Sequence, residues 1–154
     1  MIYLLTFRHE SWDELARDAK DTIFPRHWRE LALDQDRIPL DVDLELYSSS
    51  DKKGVLHVVV ARDDGRVVGY VFFWVMPHPH YKSYGLQAST DAFYVLPEYR
   101  KRGTGARMLM FAKASLQARG VKKLTISTKV HEDHSDVLEA LGGRLTDKAF
   151  TFIL

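Results

Sequence analysis

The chain has 154 residues, 45% hydrophobic and 12% aromatic, which is enough for one core and too few for two ordinary domains. Its 22 Lys and Arg against 21 Asp and Glu leave a net charge of +1 with histidine neutral, so no molecule-wide field draws it to DNA or to an anionic membrane. There is no cysteine, which excludes disulfides, thiolate nucleophiles, iron–sulfur clusters and Cys-ligated zinc and leaves His and carboxylate chemistry.

Residues 1–7 are apolar but lack a basic flank and a small-residue cleavage site, and they read as a strand rather than a signal peptide. Residues 10–20 put Trp12, Leu15 and Ala16 at helical spacing behind Ser11 as N-cap, a short amphipathic helix. Residues 21–51 are less regular. Phe24-Pro25 and Ile38-Pro39 punctuate them, with helical turns expected at 28–33 and 41–47 and Asp41 as a cap. The β-branched and aromatic runs 56–62 and 67–76, joined by Asp63-Asp64-Gly65, predict an antiparallel hairpin. The second run is about half the length of a membrane helix, so a soluble, cytoplasmic protein is expected. Residues 77–86 (PHPHYKSYGL) form a loop, and 89–95 are extended until Leu96-Pro97. A helix over 105–119 carries Met108, Leu109, Ala112 and Leu116 on one face and ends at Gly120. A strand at 123–128, a helix at 135–141 stopped by Gly142-Gly143, and a last strand at 150–154 complete the chain. The alternation in the second half predicts one α/β domain over residues 1–154, a mixed sheet with crossover helices.

One segment carries more information than the rest. Val95-Leu96-Pro97-Glu98-Tyr99-Arg100-Lys101-Arg102-Gly103-Thr104-Gly105-Ala106 joins a buried strand to a long helix. Glycines at a helix entrance let backbone N–H groups point outward together, and the helix dipole adds partial positive charge. Arg100, Lys101, Arg102 and Arg107 surround this cradle and suit a pyrophosphate. The plain alternative is a tight turn beside a solvated basic run, against which stand the strand before, the helix after and the basic cluster. The segment is neither a Walker loop nor a dinucleotide fingerprint, since the Gly-Lys-Ser/Thr ending and the third glycine are missing.

Arg100, Gly103 and Gly105 resemble the Arg/Gln-x-x-Gly-x-Gly/Ala signature of the GCN5-related N-acetyltransferase (GNAT) superfamily. The hairpin around Asp63-Asp64-Gly65, the strand and Pro-Glu-Tyr turn over 91–99 and the closing helix at 138–142 are similar to that family too, over about two thirds of the chain. HYKS before the strand and the short length also resemble small phage-encoded members. The resemblance implies a mostly antiparallel sheet with splayed central parallel strands, flanked by helices. It implies acetyl-coenzyme A, with its pantetheine on the backbone of Phe93, Tyr94 and Val95 and its pyrophosphate on the amides of Arg100, Lys101, Arg102, Gly103, Thr104, Gly105 and Ala106. By the same resemblance the Val95 N–H is the donor to the thioester oxygen. Asp91, a carboxylate in an apolar strand, is the candidate base for an amine, with a structural carboxylate at a strand edge as the other reading. Where the family often carries a Tyr as acid this chain has Leu138, so Tyr94, Tyr99, His131, His134 or solvent are the substitutes. His131 also stands where an Asn is common.

His78-x-His80 and His131-x-x-His134 have chelating spacing within each pair, but nothing local brings the pairs together, and no metal is expected. His9 and His57 read as structural, and Phe72, Phe73 and Trp74 as core. Asp34, Asp36, Asp41, Asp43 and Glu45 against Arg37 make either an acidic mouth favouring a cationic amine or a solvated face. The expected activity is transfer of acetyl from acetyl-coenzyme A to a primary amine on a small molecule or protein. The rivals are a coenzyme-binding module without catalysis and an enzyme acting on a modified nucleic-acid base. No membrane partner is expected, and a homodimer is compatible with the sequence.

Overall fold

A computed structural model describes residues 4–154, so the start of the expected first strand, residues 1–3, lies outside the described residues. A five-stranded sheet runs in the order β1-β2-β3-β4-β5. β1 (Leu5–Glu10), β2 (Leu56–Asp63), β3 (Arg66–Pro77) and β4 (Leu86–Val95) are antiparallel neighbours, and β5 (Val121–Thr125) joins β4 in parallel. A parallel step needs a crossover, here the single turn α4 (Pro97–Arg100) and the long α5 (Thr104–Ala118). The short α6 (Ser135–Ala140) follows β5. This is the expected α/β architecture, a mixed and mostly antiparallel sheet flanked by helices.

Local chemistry explains most element ends. Ser11 opens α1 (Trp12–Ala19) with a reciprocal box: its Oγ accepts from the Glu14 N–H at 3.3 Å, and its own N–H donates to Glu14 Oε2 at 2.9 Å. In α2 (Ile23–Leu31) the pair Phe24-Pro25 starts the helix rather than breaking it, because Pro25 falls in the first turn, where no N–H is needed. The cap of α3 (Leu44–Lys52) is Asp43, whose Oδ1 accepts from the Leu46 N–H at 2.9 Å, and not Asp41 as expected. Asp64 and Gly65 both have positive φ, 46° and 80°, which gives the hairpin turn the twist its strands require. The expected loop at 77–86 contains a 3-10 turn, Pro79–Tyr84.

Helices α1 to α3 cover one face of the sheet, where Trp12 stacks on Phe24 and Tyr47 and meets Phe72 edge-on. On α5, Met108, Leu109, Ala112 and Leu116 are buried in the same core. The Arg62 guanidinium ties the strands to α1, with Nε 2.7 Å from Glu10 Oε1 and Nη1 2.9 Å from Asp18. The strand expected at 150–154 does not form. That segment is exposed and has no ladder partner among the described residues, and a strand cannot exist without one.

His57, only 2% exposed, lies between β2 and α5, with Nε2 2.9 Å from Ser115 Oγ and its ring stacked on His9. Burial, aided by the nearby His9 and Arg119 charges, pushes it down from 6.5 to about 3. His27 falls to about 4, again mainly through burial. Both are neutral in the fold and protonate more readily when unfolded, so they contribute stability that is complete above pH 6.5 and is lost as pH falls toward 4. The urea midpoint should therefore drop between pH 7.5 and 4.5, and less steeply in His57→Gln; identical slopes in the two proteins would contradict this assignment.

Candidate active site

β4 and β5 are paired only from Leu86↔Val121 to Ser89↔Thr125 and then part. The fork is held by Thr90, whose Oγ1 accepts from the Ser127 N–H at 2.8 Å. Beyond it, β4 is bonded to β3 alone. Leu96 N–H donates toward β3, to Val68 O at 2.9 Å, so by alternation the backbone groups of Phe93 and Val95 face the vacated side. Arg100 reaches the same side and donates from Nε to Val95 O at 2.8 Å. A cleft of about 190 Å³ opens here, with Phe93, Tyr94, Val95, Gly103, Gly105, Ala106, Glu132, His134 and Val137 in its walls.

The loop at its mouth has the geometry expected of an anion cradle. Gly103 is left-handed, φ 68° and ψ 22°, and its carbonyl accepts the first bond of α5, from Arg107 N–H at 3.0 Å. The amides of Thr104, Gly105 and Ala106 are therefore ahead of the first i−4 carbonyl and lie at the positive end of the helix. A Cβ on Gly105 would sit 3.2 Å from the Phe93 ring, so glycine lets the helix start close to β4. Thr104 is wholly buried and its hydroxyl has no protein partner. The basic residues divide. Lys101, Arg102 and Arg107 are exposed, Arg107 with its guanidinium over the Phe7 ring at 5.2 Å, and Arg100 is held by the Val95 carbonyl and Glu30.

Tyr94, 2% exposed, donates its hydroxyl to Glu30 Oε2 at 2.7 Å, while Arg100 Nη2 lies 2.6 Å from Glu30 Oε1. Burial first and Glu30 second raise the Tyr94 phenol well above its ordinary range. Burial would raise Glu30 as well, but the Tyr94 and Arg100 hydrogen bonds and charges outweigh it and hold the carboxyl low. The His27 ring stacks on Tyr94 at 4.5 Å and completes this wall.

Asp91 is exposed rather than buried as expected. It is the extra residue of a β-bulge: Phe72 pairs with Ala92 and Phe73 with Thr90, and Asp91 falls between them. The bulge turns its carboxylate to the face of Trp74 and α3. There Tyr47 Oη donates to Oδ2 at 2.5 Å and Trp74 Nε1 to Oδ1 at 3.1 Å. Tyr47 stacks on Trp74 at 5.5 Å. Burial and the Asp91 bond, with the Asp91 and Asp43 charges, push the Tyr47 phenol up beyond its usual range.

Of the substitute acids, Tyr94 and His134 are in the cleft, and the His134 ring meets Phe93 edge-on at 5.5 Å. His131 is at the rim with Nε2 3.0 Å from Leu31 O, and Tyr99 is turned away, donating to Asp63 Oδ2 at 2.8 Å. Leu138, half-buried, packs against the core. His78 and His80 touch each other, and among the described residues no group of three or more His, Asp and Glu is placed to share an ion.

The model of the acetyltransferase (GNAT) family matches residues 10–140. The chain belongs to this family. Solved structures share the GNAT fold at low identity. An aminoglycoside acetyltransferase from an uncultured soil metagenomic sample, in complex with trehalose, is 13% identical over 97% of this chain and 96% of that one, with a TM-score of 0.72. A predicted acetyltransferase from Clostridium acetobutylicum with acetyl-CoA is 14% identical, covering 97% and 96%, at 0.69. A ribosomal-protein-alanine N-acetyltransferase from Brucella melitensis biovar Abortus 2308 is 18% identical, covering 99% and 100%, at 0.70. No curated protein matches.

Among the site's residues, Glu30, His27, Tyr47 and Trp74 carry no signature in the sequence of this GNAT protein. Trp74 reads as part of a core run, and Tyr47 as one aromatic in an irregular stretch. Strand pairing brings Trp74 to Asp91, and the packing of α2 and α3 on the sheet brings Glu30 and His27 to Tyr94 and Tyr47 to Asp91.

Proposed function

We propose that this GNAT protein transfers an acetyl group from acetyl-coenzyme A to a primary amine by direct attack within a ternary complex. The observation that carries the reading is the fork between β4 and β5, with open strand backbone on one side and the Gly103 to Ala106 amides on the other. Those amides hold the pyrophosphate, helped by Lys101 and Arg102, and Phe93 and Val95 offer the pantetheine arm a strand to pair with. Arg100 holds the Val95 carbonyl and Glu30, so it shapes the cleft wall. The coenzyme supplies the activated acyl group. The Val95 N–H donates to the thioester oxygen as negative charge grows there, worth on the order of a few kcal/mol in a dry site.

An alkyl amine has a pKa near ~10, so the acceptor must lose a proton before attack. Asp91 takes it, directly or through water, using the acceptor capacity that each oxygen keeps beside its Tyr47 or Trp74 bond. His134 is the cleft side chain we assign to return a proton to the departing thiolate. Tyr94 and His131 hold the wall through Glu30 and the Leu31 carbonyl. That the protein is of the small phage-encoded kind rests on its length and the HYKS segment. No helix among the described residues is long and apolar enough to cross a membrane.

The acceptor we assign is a cationic amine, small or on a protein, since Asp43 adds its charge at Tyr47 beside Asp91 and the exposed Asp34, Asp36 and Glu45 lie on the same segment. Neutralising Asp34, Asp36 and Glu45 together should raise KM for a cationic amine at low ionic strength, with KM for the coenzyme unchanged. Each exposed charge contributes a few tenths of a kcal/mol, screened over roughly 8 to 10 Å. Asp43 is left intact because it caps α3. Equal KM values for cationic and neutral amines in both proteins would remove the acidic mouth.

An acceptor screen reading free thiol released from acetyl-coenzyme A, with coenzyme-induced thermal stabilisation measured beside it, tests the whole reading. Stabilisation and thiol release with an amine are expected. Stabilisation without release from any amine would favour a coenzyme-binding module, for which Leu138 at the place of the usual tyrosine is the argument, and neither effect would overturn both.

A further inference from the structure

The turn between β3 and β4 holds its rings in place without using them in the core. His78 Nδ1 accepts from the His80 N–H at 3.1 Å, and the rings of His78, His80 and Tyr81 pack on one another with centroids 5.0, 5.2 and 6.0 Å apart. Tyr81 is nevertheless 55% exposed and Tyr84 54%, and neither belongs to the core. Lysines gather at the same end of the sheet. Lys82 is in the turn itself, and the Lys122 stem lies 3.6 Å from where a Cβ on Gly85 would stand. Lys123 is in register with Gln87. Lys53, at the end of α3, comes just before Val55, whose carbonyl accepts from the Val75 N–H of β3 at 2.9 Å. All four lysines are exposed, and none makes an ion pair among the described residues. On the α1 and α3 side, Asp13 is taken up by Lys52 at 3.5 Å and Asp51 by the Trp12 N–H at 2.8 Å.

We propose that this end of the sheet docks single-stranded nucleic acid, with bases stacked on Tyr81 and Tyr84 and phosphates held by Lys53, Lys82, Lys122 and Lys123. Exposed aromatic rings set among unpaired cations are what such a strand recognises, since every base has a face to stack and every nucleotide a charge. A duplex keeps its base faces stacked on one another and leaves the tyrosines nothing to hold. Binding to an anionic membrane calls for a basic helix with Trp, Phe or Leu on its other face, and this end is built of turns and strand termini. The coenzyme does not account for the charge either. The turn precedes β4, whereas the Gly103 loop follows it, ten residues on, about 33 Å along a strand. From β2 to β5 the surface spans three strand spacings, about 14 Å, room for a few nucleotides. With a net charge of only +1 on the whole chain, the attraction is local to this end. The proposal stands apart from the coenzyme and acceptor readings.

The test is fluorescence anisotropy of a labelled single-stranded RNA dodecamer of mixed sequence, titrated with the full chain between about 50 and 200 mM salt. Binding is expected, unchanged by saturating acetyl-coenzyme A, and the same sequence as a duplex should compete at least about tenfold less well. Four phosphate contacts at about 0.7 each give a log–log salt slope of about −3, which K82Q/K122Q/K123Q should bring to about −1. Y81A/Y84A should weaken binding about tenfold or more and leave the slope as it was. No binding at the lowest salt would overturn the proposal, and so would displacement of the strand by the coenzyme, since the Gly103 loop would then be holding it. Equal affinity in Y81A/Y84A and the unaltered protein would overturn it as well; if phosphatidylserine vesicles then bound both alike, the partner would be a membrane. Should the tyrosine variant fail to fold, photo-cross-linking of the unaltered protein to a 4-thiouridine-substituted strand decides the matter. Adducts on Tyr81 or Tyr84 support the proposal, and adducts confined to other segments overturn it.

Discussion

Gly103→Val loses acetyl-coenzyme A affinity by about a hundredfold or more while the protein still folds, because the left-handed turn that aims the Thr104 to Ala106 amides costs a β-branched residue at least ~1–2 kcal/mol and is abandoned. A Cβ at Gly103 meets nothing within 4 Å, so the effect is one of backbone conformation and not of crowding. Gly103→Asn, which tolerates positive φ, should retain far more affinity than the valine variant. At Gly105 the cause differs: the first added carbon lies 3.2 Å from the Phe93 ring and would push α5 off the strand that forms the cleft. Titration calorimetry with the coenzyme, beside thermal unfolding of each variant, checks both. A folded Gly103→Val protein with unchanged affinity would take away the cradle.

Asp91→Asn lowers kcat about a hundredfold near neutral pH and leaves coenzyme affinity nearly unchanged, the deficit shrinking as pH approaches the amine's own pKa near ~10. Tyr47→Phe, which removes one donor from the carboxylate but keeps the ring stacked on Trp74 and Trp12, should shift the pH profile with a smaller loss. The measurement is kcat and KM for both substrates from pH 6.5 to 10. A deficit of the same size at every pH would make Asp91 a structural acceptor for Tyr47 and Trp74.

What was legible in the sequence was local. Ser11 and Glu14 satisfy each other three residues apart, Asp64-Gly65 dictates its own turn, and Gly103 and Gly105 mark a helix start whatever surrounds them. What was not legible depends on partners distant in the chain. Tyr47 and Asp91 are 44 residues apart, Glu30 and Tyr94 64, and no spacing rule connects them. The bulge was hidden too, since a period of two along β4 would set Asp91 on the side of Phe93 and Val95. Pro25 looked like a breaker because the start of α2 was unknown, and Phe150 to Leu154 has a strand's composition without a neighbour in the described fold.

The extra residue in β4 has an implication for how such a site diversifies. Phe93 and Val95 on one side of it present backbone to the cleft, while Asp91 looks out among Tyr47 and Trp74 on the other. Shortening the strand by one residue there would swing the carboxylate through the sheet and leave the loop at Gly103 where it is. Change in backbone length at a single point can thus rewrite which amine is received without disturbing how the acyl donor is gripped, and two halves of one catalyst can drift independently.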